Sequence, residues 1–485
     1  MTTLVWFRTD LRVHDNPALW HAAQRKDDVL GVVFVSEKQW RRHGLGPRKI
    51  QLIKNRMYAL ADELKALNIP LLIVNAPTFA ECNLSLQRAC VQMNISRVNF
   101  NIEYEVNERH RDIEFARWCR ENQIEVNKFH DQCLLPPGSV VTQQGGPFRV
   151  FTPFKKAWLQ QANVVMQPPL PAPAKRNAAD ARTLETLARV QSQMLKQGPL
   201  PEQEDDPLWS VAEADAHDKL ECFISERALD YKDDRDHPLR EGTSRLSFEL
   251  SLGILSQRQC LHAAQQENKG FLAGGFPGID CWISELIWRE FYRHLLVAFP
   301  DLCKHKAFKP ETEAVPWRHD EDDFLAWCEG RTGYPIVDAA MRQLVQQGWM
   351  HNRLRMITAM FLTKHLLIDW RKGEAFFNHW LVDADLASNN GGWQWSASTG
   401  ADGAPYFRIF NPTSQSEKFD ASAEFIAQMV PELAVLAPKD RHAPDNLQRA
   451  RCRYPLPVVN HQYGRARALE AFKLSQAQTL TEGDA

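Results

Sequence analysis

The feature that most constrains this chain is a change of rhythm part-way along it. In the first 104 residues four short apolar runs recur: TLVWF (3–7), VLGVVFVS (29–36), PLLIVNA (70–76) and SRVNFNIEY (96–104). Between them lie stretches with helical spacing, such as PRKIQLIKNRMYALADELKALN (47–68) and FAECNLSLQRACVQMN (79–94). Buried strands alternating with helices of this length predict a doubly wound, parallel α/β sheet. Ligands on such sheets sit at the carboxyl ends of strands. No G-x-G-x-x-G follows the first run, so a Rossmann dinucleotide site is not supported in this half.

After about residue 215 the pattern turns helical. CWISELIWREFYRHLLVAF (281–299) and IVDAAMRQLVQQ (336–347) have helical spacing, and strand-like alternation is scarce. Between the two regimes, MQPPLPAPAKRNAADAR (166–182) and QGPLPEQEDDP (197–207) are rich in Pro, Ala and charge. They predict a long connection with one helix, TLETLARVQSQMLK (183–196). The expected organisation is an α/β domain over residues 1–135, a linker over 136–215 and an all-helical domain over 216–485. No internal repeat is found.

Composition excludes more than it assigns. Apolar residues make up 44% and charged residues 24%, ordinary for a soluble globular protein. A net charge of −2 is no nucleic-acid signature. Charge is uneven, however: six Arg or Lys (342, 353, 355, 364, 371 and 372) fall where the only acid is Asp369. Such a stretch makes either one basic face or a solvated one. Ten cysteines with no C-x-x-C and no zinc-type spacing predict free thiols, a reducing cytoplasmic compartment and no structural metal. The amino terminus is charged by Arg8, unlike a signal peptide, and no apolar run is long enough to span a membrane.

Several stretches carry residues suited to chemistry. On the 281–299 segment, Glu285, Arg289 and Arg293 recur at i, i+4, i+8, with Trp282, Trp288 and Tyr292 beside them. This is an exposed ion-pair stripe or the indole-lined wall of a ligand cavity. EGTSRLS (241–247) reads as a phosphate cradle or as a helix start capped by Thr243 or Ser244. WMHNRLRM (349–356) packs His351, Asn352, Arg353 and Arg355 into about a turn. Asp383 and Asp385 are a carboxylate pair, and pairing with an arginine such as Arg355 is the simplest expectation. ASNNGGWQWSASTG (387–400) has adjacent glycines, which predict a sharp turn or a close approach of backbone to something.

Taken together and in order, EGTSRLS, WISELIWREFYRH, GYPIVDAAMRQL, WMHNRLRM and NNGGWQWSASTG resemble the photolyase/cryptochrome family. Within it the chain is most similar to bacterial class I cyclobutane pyrimidine dimer photolyases of the folate-antenna type. The match runs from LVWFRTDLRVHDNPAL to YFRIFNPTSQSEKFD (406–420). The resemblance implies an α/β antenna domain and a helical FAD domain. It implies light-driven splitting of pyrimidine dimers in UV-damaged DNA by a monomer carrying reduced, non-covalent FAD. FAD would be held by Tyr231, Thr243, Ser244, Arg245, Leu246, Ser247, Trp282, Glu285, Arg289, Asn352, Arg355, Asp383, Ala384, Asp385 and Asn389. Glu285, Asn389 and Met356 would act at the reacting groups. Trp317, Trp370 and Trp393 would relay electrons. DNA would meet Arg235, Glu285, Trp288, Arg289, Arg293, Asn352, Arg353, Trp395 and Lys418. A 5,10-methenyltetrahydrofolate antenna would bind Asn107 and Glu108 with Cys303 and Lys304; a deazaflavin antenna is the competing cofactor.

Two rivals share the fold. A (6-4) photolyase places histidines in the turn where this chain has Asn352 and Met356, neither of which readily donates a proton. A cryptochrome often carries a long carboxyl-terminal extension and replaces the residue facing flavin N5, where this chain keeps Asn389.

Overall fold

The structure, a computed structural model, describes residues 2–177, 181–195, 202 and 204–482. The chain forms two compact units. One comprises Met1–Pro147, Phe154–Glu226 and Ser244–Pro300; the other comprises Phe148–Pro153, Arg227–Thr243 and Asp301–Ala485.

The first unit is built on a five-stranded sheet: β1 (Thr2–Trp6), β2 (Asp28–Val35), β3 (Leu71–Asn75), β4 (Ile95–Asn101) and β5 (Glu125–Phe129). The spatial order is β3-β2-β1-β4-β5, and every pairing is parallel. Side chains alternate across the pleat. Leu4 and Trp6 join Leu30, Val32, Val98 and Phe100 on one face; Val5 and Phe7 join Val29, Val33 and Val35 on the other. Both faces are buried, which is why these strands read as unbroken apolar runs.

The sequence pattern missed β5. Its residues, EVNKF, lie at the sheet edge and are only partly buried, so polar side chains are tolerated there. In the connecting segment one helix was expected and two are found, Phe151–Val165 and Ala181–Leu195. The last residue of the expected stretch, Lys196, lies outside the described residues. The second helix does more than connect, for Val190 is fully buried with Leu187 against one face of the sheet.

The second unit is helical, with Pro335–Gln347, Asn352–Met360, Trp370–Trp380, Leu386–Ala397 and Pro412–Phe419 among its helices. Proline opens the first and last of these, where its missing N–H costs nothing. Gly348 ends Pro335–Gln347 at a φ of 69°, the usual left-handed stop.

The basic stretch becomes neither a bare basic face nor a solvated one. Arg342 pairs with Glu432, Arg353 with Asp236, Arg355 with Asp383, Arg371 with Glu313 and Lys372 with Glu321. Lys364 is buried, and that burial holds its pKa well below the usual lysine value. Acids distant in sequence neutralise the run. All ten cysteines are free thiols. Among the described residues no helix is long and apolar enough to cross a membrane.

Candidate functional site

The expected site residues fall on both units. In the first, Pro277–Ala298 is a 22-residue helix. Trp282 is buried against Phe223, with ring centroids 4.9 Å apart. Trp288 is half-buried beside Phe291 and Tyr292. Arg289 donates to the Gln132 and Leu250 carbonyls and to Gln257 Oε1, at 3.2, 2.9 and 3.1 Å. Arg293 donates to Gln132 Oε1 at 3.3 Å. The guanidiniums therefore tie the helix to its own unit, while Glu285 lies half-buried on the same stripe.

Glu290, absent from the stripe argument, is the most enclosed acid of this helix. It accepts from the Leu134 and Leu135 amides, Trp158 Nε1 and Gln257 Nε2. Burial nevertheless pushes its pKa up to about 7.

The 241–247 loop does not cap a helix as expected. Ser247–Leu252 starts with Leu246 in the cap position and no side-chain cap. Ser244 Oγ instead accepts the Leu246 amide at 3.4 Å, and Arg245 takes a left-handed φ of 53°. The hydroxyls of Thr243 and Ser247 are thus not spent on capping.

In the second unit, His351 is the N-cap of Asn352–Met360, its ring accepting from the Arg353 amide at 3.2 Å. The cap fixes the start of the helix, and Arg355 then donates to Asp383 Oδ2 at 2.8 Å. Asp383 is buried, and its other oxygen, Oδ1, has no hydrogen-bond partner. A buried acceptor without a donor costs roughly 1–3 kcal/mol. Asp385 caps Leu386–Ala397 by accepting the Ser388 amide at 2.9 Å. Ala384 is buried between these two acids.

Leu386–Ala397 corrects the reading of the paired glycines. Gly391 and Gly392 lie inside a regular helix and make no turn. A Cβ on Gly392 would meet nothing within 4 Å, so the pair leaves a bare stretch of helix surface. Asn389 donates to the Glu374 carbonyl at 3.0 Å, and Asn390 to the Glu374 carboxylate at 2.8 Å. Gln394 continues the network by donating to Asn390 Oδ1 at 2.9 Å. Glu374, which both asparagines meet, lies outside every motif read from the sequence.

The three tryptophans expected to relay electrons occupy linked elements of this unit. Trp393, on Leu386–Ala397, is buried against the Trp370–Trp380 helix, edge-on to Phe377 with centroids 4.9 Å apart. Gly373 makes that seat possible: a Cβ there would stand 2.1 Å from the Trp393 ring. Trp370, fully buried, opens the same helix. Trp317 is half-buried against Phe472, and its neighbour Arg318 pairs with Leu367 and Ile368, just before Trp370. Trp327, fully buried and 6.0 Å from Trp393 between centroids, is an indole the motifs did not single out.

Three candidate phosphate contacts also converge here. Arg235 lies 3.9 Å from Asp236, which pairs with Arg353 at 2.6 Å. Arg353 and exposed Lys418 both stand over the Phe419 ring, at 4.5 and 5.0 Å. Tyr231 is buried, with Arg235 5.2 Å over its ring. Asn352 is exposed, 4.0 Å from the Met356 sulfur, and Trp395 is half-buried.

The antenna candidates lie on both units. In the first, Glu108 sits 3.4 Å from His43 Nδ1, and Asn107 is 3.1 Å from the Nε2 of that histidine. Burial, with Glu105 and Glu103 adding repulsion, raises the Glu108 pKa to about 8. In the second, Cys303 is half-buried and Lys304 is exposed and paired with Asp301 at 2.9 Å.

Residues 3–174 match the DNA photolyase family, and residues 282–474 match the FAD binding domain of DNA photolyase. The chain is 44% identical over 482 residues to a deoxyribodipyrimidine photo-lyase from Escherichia coli, covering 98% of this chain and 99% of that one. A class III photolyase structure from Agrobacterium tumefaciens aligns with a TM-score of 0.82 and 35% identity over 98% of each chain. A Synechocystis cryptochrome aligns with a TM-score of 0.82 at 25% identity, over 97% of this chain and 99% of that one. Fold alone thus does not separate proteins named photolyase from one named cryptochrome, while the chain-long identity is higher to the photo-lyases. The chain belongs to the DNA photolyase family.

Proposed function

We propose that the chain is a light-driven lyase that splits cyclobutane pyrimidine dimers in UV-damaged DNA, with FAD as its cofactor. The observation that carries this is 44% identity, over nearly the full length of both chains, to an enzyme named for that reaction. The open oxygen of buried Asp383 fits the cofactor: it is an acceptor awaiting a hydroxyl or N–H that the protein does not supply. Reduced FAD, when bound, supplies the electron that the dimer takes up under light and gives back after its ring opens.

The protein's part is to hold and position. Asp383, Ala384, Asp385 and Asn389, with Tyr231, Asn352 and Arg355, would hold FAD from the helical unit. Thr243, Ser244, Arg245, Leu246, Ser247, Trp282, Glu285 and Arg289 would hold it as well. Trp288 and Trp395 would pack on the extruded dimer, which is already poorly stacked and so leaves the duplex at lower cost than intact bases. Glu285 would hydrogen-bond a dimer base and stabilise developing charge, with Met356 as an apolar contact. Arg235, Arg353 and Lys418 would meet the DNA strand, making binding salt-dependent, while Arg293, expected to join them, is buried and bonded to Gln132. Trp393, Trp370 and Trp317 would pass electrons inward from the surface. Asn107, Glu108, Cys303 and Lys304 would take a methenyltetrahydrofolate antenna. Burial favours the protonated form of Glu108, which would let it offer that ligand a donor. Residues 1–135 would serve the antenna, 136–215 connect, and 216–485 carry FAD and DNA. The enzyme would act as a monomer in the cytoplasm.

The test is repair itself. Pre-reduced protein is mixed with a thymine-dimer oligonucleotide, and blue light is compared with darkness. Recovery of thymine absorbance only in the light is the expected result. No recovery with FAD bound and reduced would overturn the reading and send the (6-4) lesion to the same assay.

A further inference from the structure

We propose that the first unit carries a binding site for a divalent transition ion of the zinc class, made by His14, Glu213 and His217. None of the three belongs to the FAD, DNA or antenna sets. Glu213 and His217 are i, i+4 on the first turns of Glu213–Glu226, and so share a helix face. His14 comes from the segment after β1, 199 residues earlier. One ligand atom from each lies within 4.8 Å of the others.

The carboxylate is already built into place. Glu213 is buried, and its two oxygens accept the Val13 and His14 amides at 2.8 and 2.9 Å. Its Oε1 is also 2.7 Å from His14 Nδ1 and 3.9 Å from His217 Nε2. Arg56, 3.6 Å from Oε2, is charge-matched by Glu63, so the cluster is not left cationic. Tetrahedral zinc needs its N and O ligands about 3.3 Å apart. The observed spacings bracket that value, and both rings are partly exposed and can turn to meet an ion. Gln259 Nε2 donates to His217 Nε2 at 3.0 Å, so that nitrogen is unprotonated, and a turn of the ring away from Gln259 would release its lone pair to the ion. The ion would replace the contact between His14 and Glu213 and leave one position to water. It would clasp the segment following β1 to the start of the helix. Spacing along the chain could not have shown this, because the third ligand is so distant.

Flavin-loaded full-length protein, stripped of metal with a chelator, is titrated with Zn2+ against a chromophoric competitor near neutral pH. One equivalent is expected to bind, and the melting temperature is expected to rise with added Zn2+. His217→Ala and His14→Ala are each expected to weaken that binding more than about tenfold, the loss seen even for residues that only orient a ligand. Flavin absorbance should be the same in all three proteins. Co2+ in place of Zn2+ should give a visible ligand-field band in the parent that His217→Ala lacks. If His14→Ala disturbs folding, His217→Ala decides alone, since its side chain is one-third exposed on a helix. Unchanged zinc affinity and stoichiometry in His217→Ala, or no zinc bound by the parent, would overturn the proposal.

Discussion

Asp15 and Asp383 are both buried aspartates held by arginines, one in each unit, and they end differently. Asp15 is finished within the protein. One oxygen accepts the Leu170 amide at 2.8 Å and Arg258 Nε at 3.1 Å, and the other accepts the Ser256 hydroxyl. Asp383 takes Arg355 on one oxygen and nothing on the other. A buried carboxylate whose valences close inside the chain is scaffold. One left open is a place where the fold expects something else, and the difference can be seen before any ligand is.

Four experiments press on that contrast. The largest effect belongs to Asp15→Ala, which leaves the Leu170 amide and the buried Ser256 hydroxyl without their acceptor and Arg258 with Asp131 alone, and should cost about 3–5 kcal/mol in chemical denaturation. A cost under about 1 kcal/mol would mean that the closed network is ornamental. Next, Asp383→Asn should release FAD, lowering flavin content. It should also remove the ligand-linked stabilisation, worth about 2.7 kcal/mol at a hundredfold excess over Kd. Flavin-free protein should unfold much like the flavin-free parent; full FAD content would show that the open oxygen serves no cofactor. Third, Trp317→Phe should slow photoreduction of oxidised flavin by at least about tenfold, or 1.4 kcal/mol of barrier, while pre-reduced enzyme still repairs. Trp118→Phe in the sheet unit should leave both rates alone; equal effects would dissolve the distinction between the two sets of indoles. The fourth experiment is set apart by its pH dependence and concerns Glu290, satisfied like Asp15 yet with its pKa raised to about 7. Its folded state prefers the proton more than the unfolded chain does. The stability it contributes is therefore complete below about pH 4.5 and lost as pH rises through about 7. The advantage of the parent over Glu290→Gln in unfolding free energy should shrink across that range, and a flat difference would contradict it.

What was legible in the sequence follows the reach of each interaction. Four strands showed because both sheet faces are buried, and β5 hid because an edge strand can stay polar. The Arg355–Asp383 pair was legible because the Asp383/Asp385 carboxylates call for a cation and the WMHNRLRM turn offers one. The Glu374–Asn390–Gln394 network was not, for Glu374 meets Asn390 only after two helices pack. The basic stretch misled for the same reason: its acids arrive from up to 117 residues away. Of the two readings of the paired glycines the sharp turn fails, since a helix tolerates glycine at a cost of roughly 1 kcal/mol each and gives no sign of it.

Gly373 has a consequence for how such a chain can change over generations. With the Trp393 ring where it is, no side chain at position 373 can be accommodated, not even a methyl group. Phe377 and Trp327 hold that ring from other sides, so it cannot simply step back. A lineage must first trade the indole for something smaller before position 373 is free to vary. The order in which those two positions can mutate is thereby set by geometry, and alanine at 373 beside an intact Trp393 is a combination that ancestry should avoid.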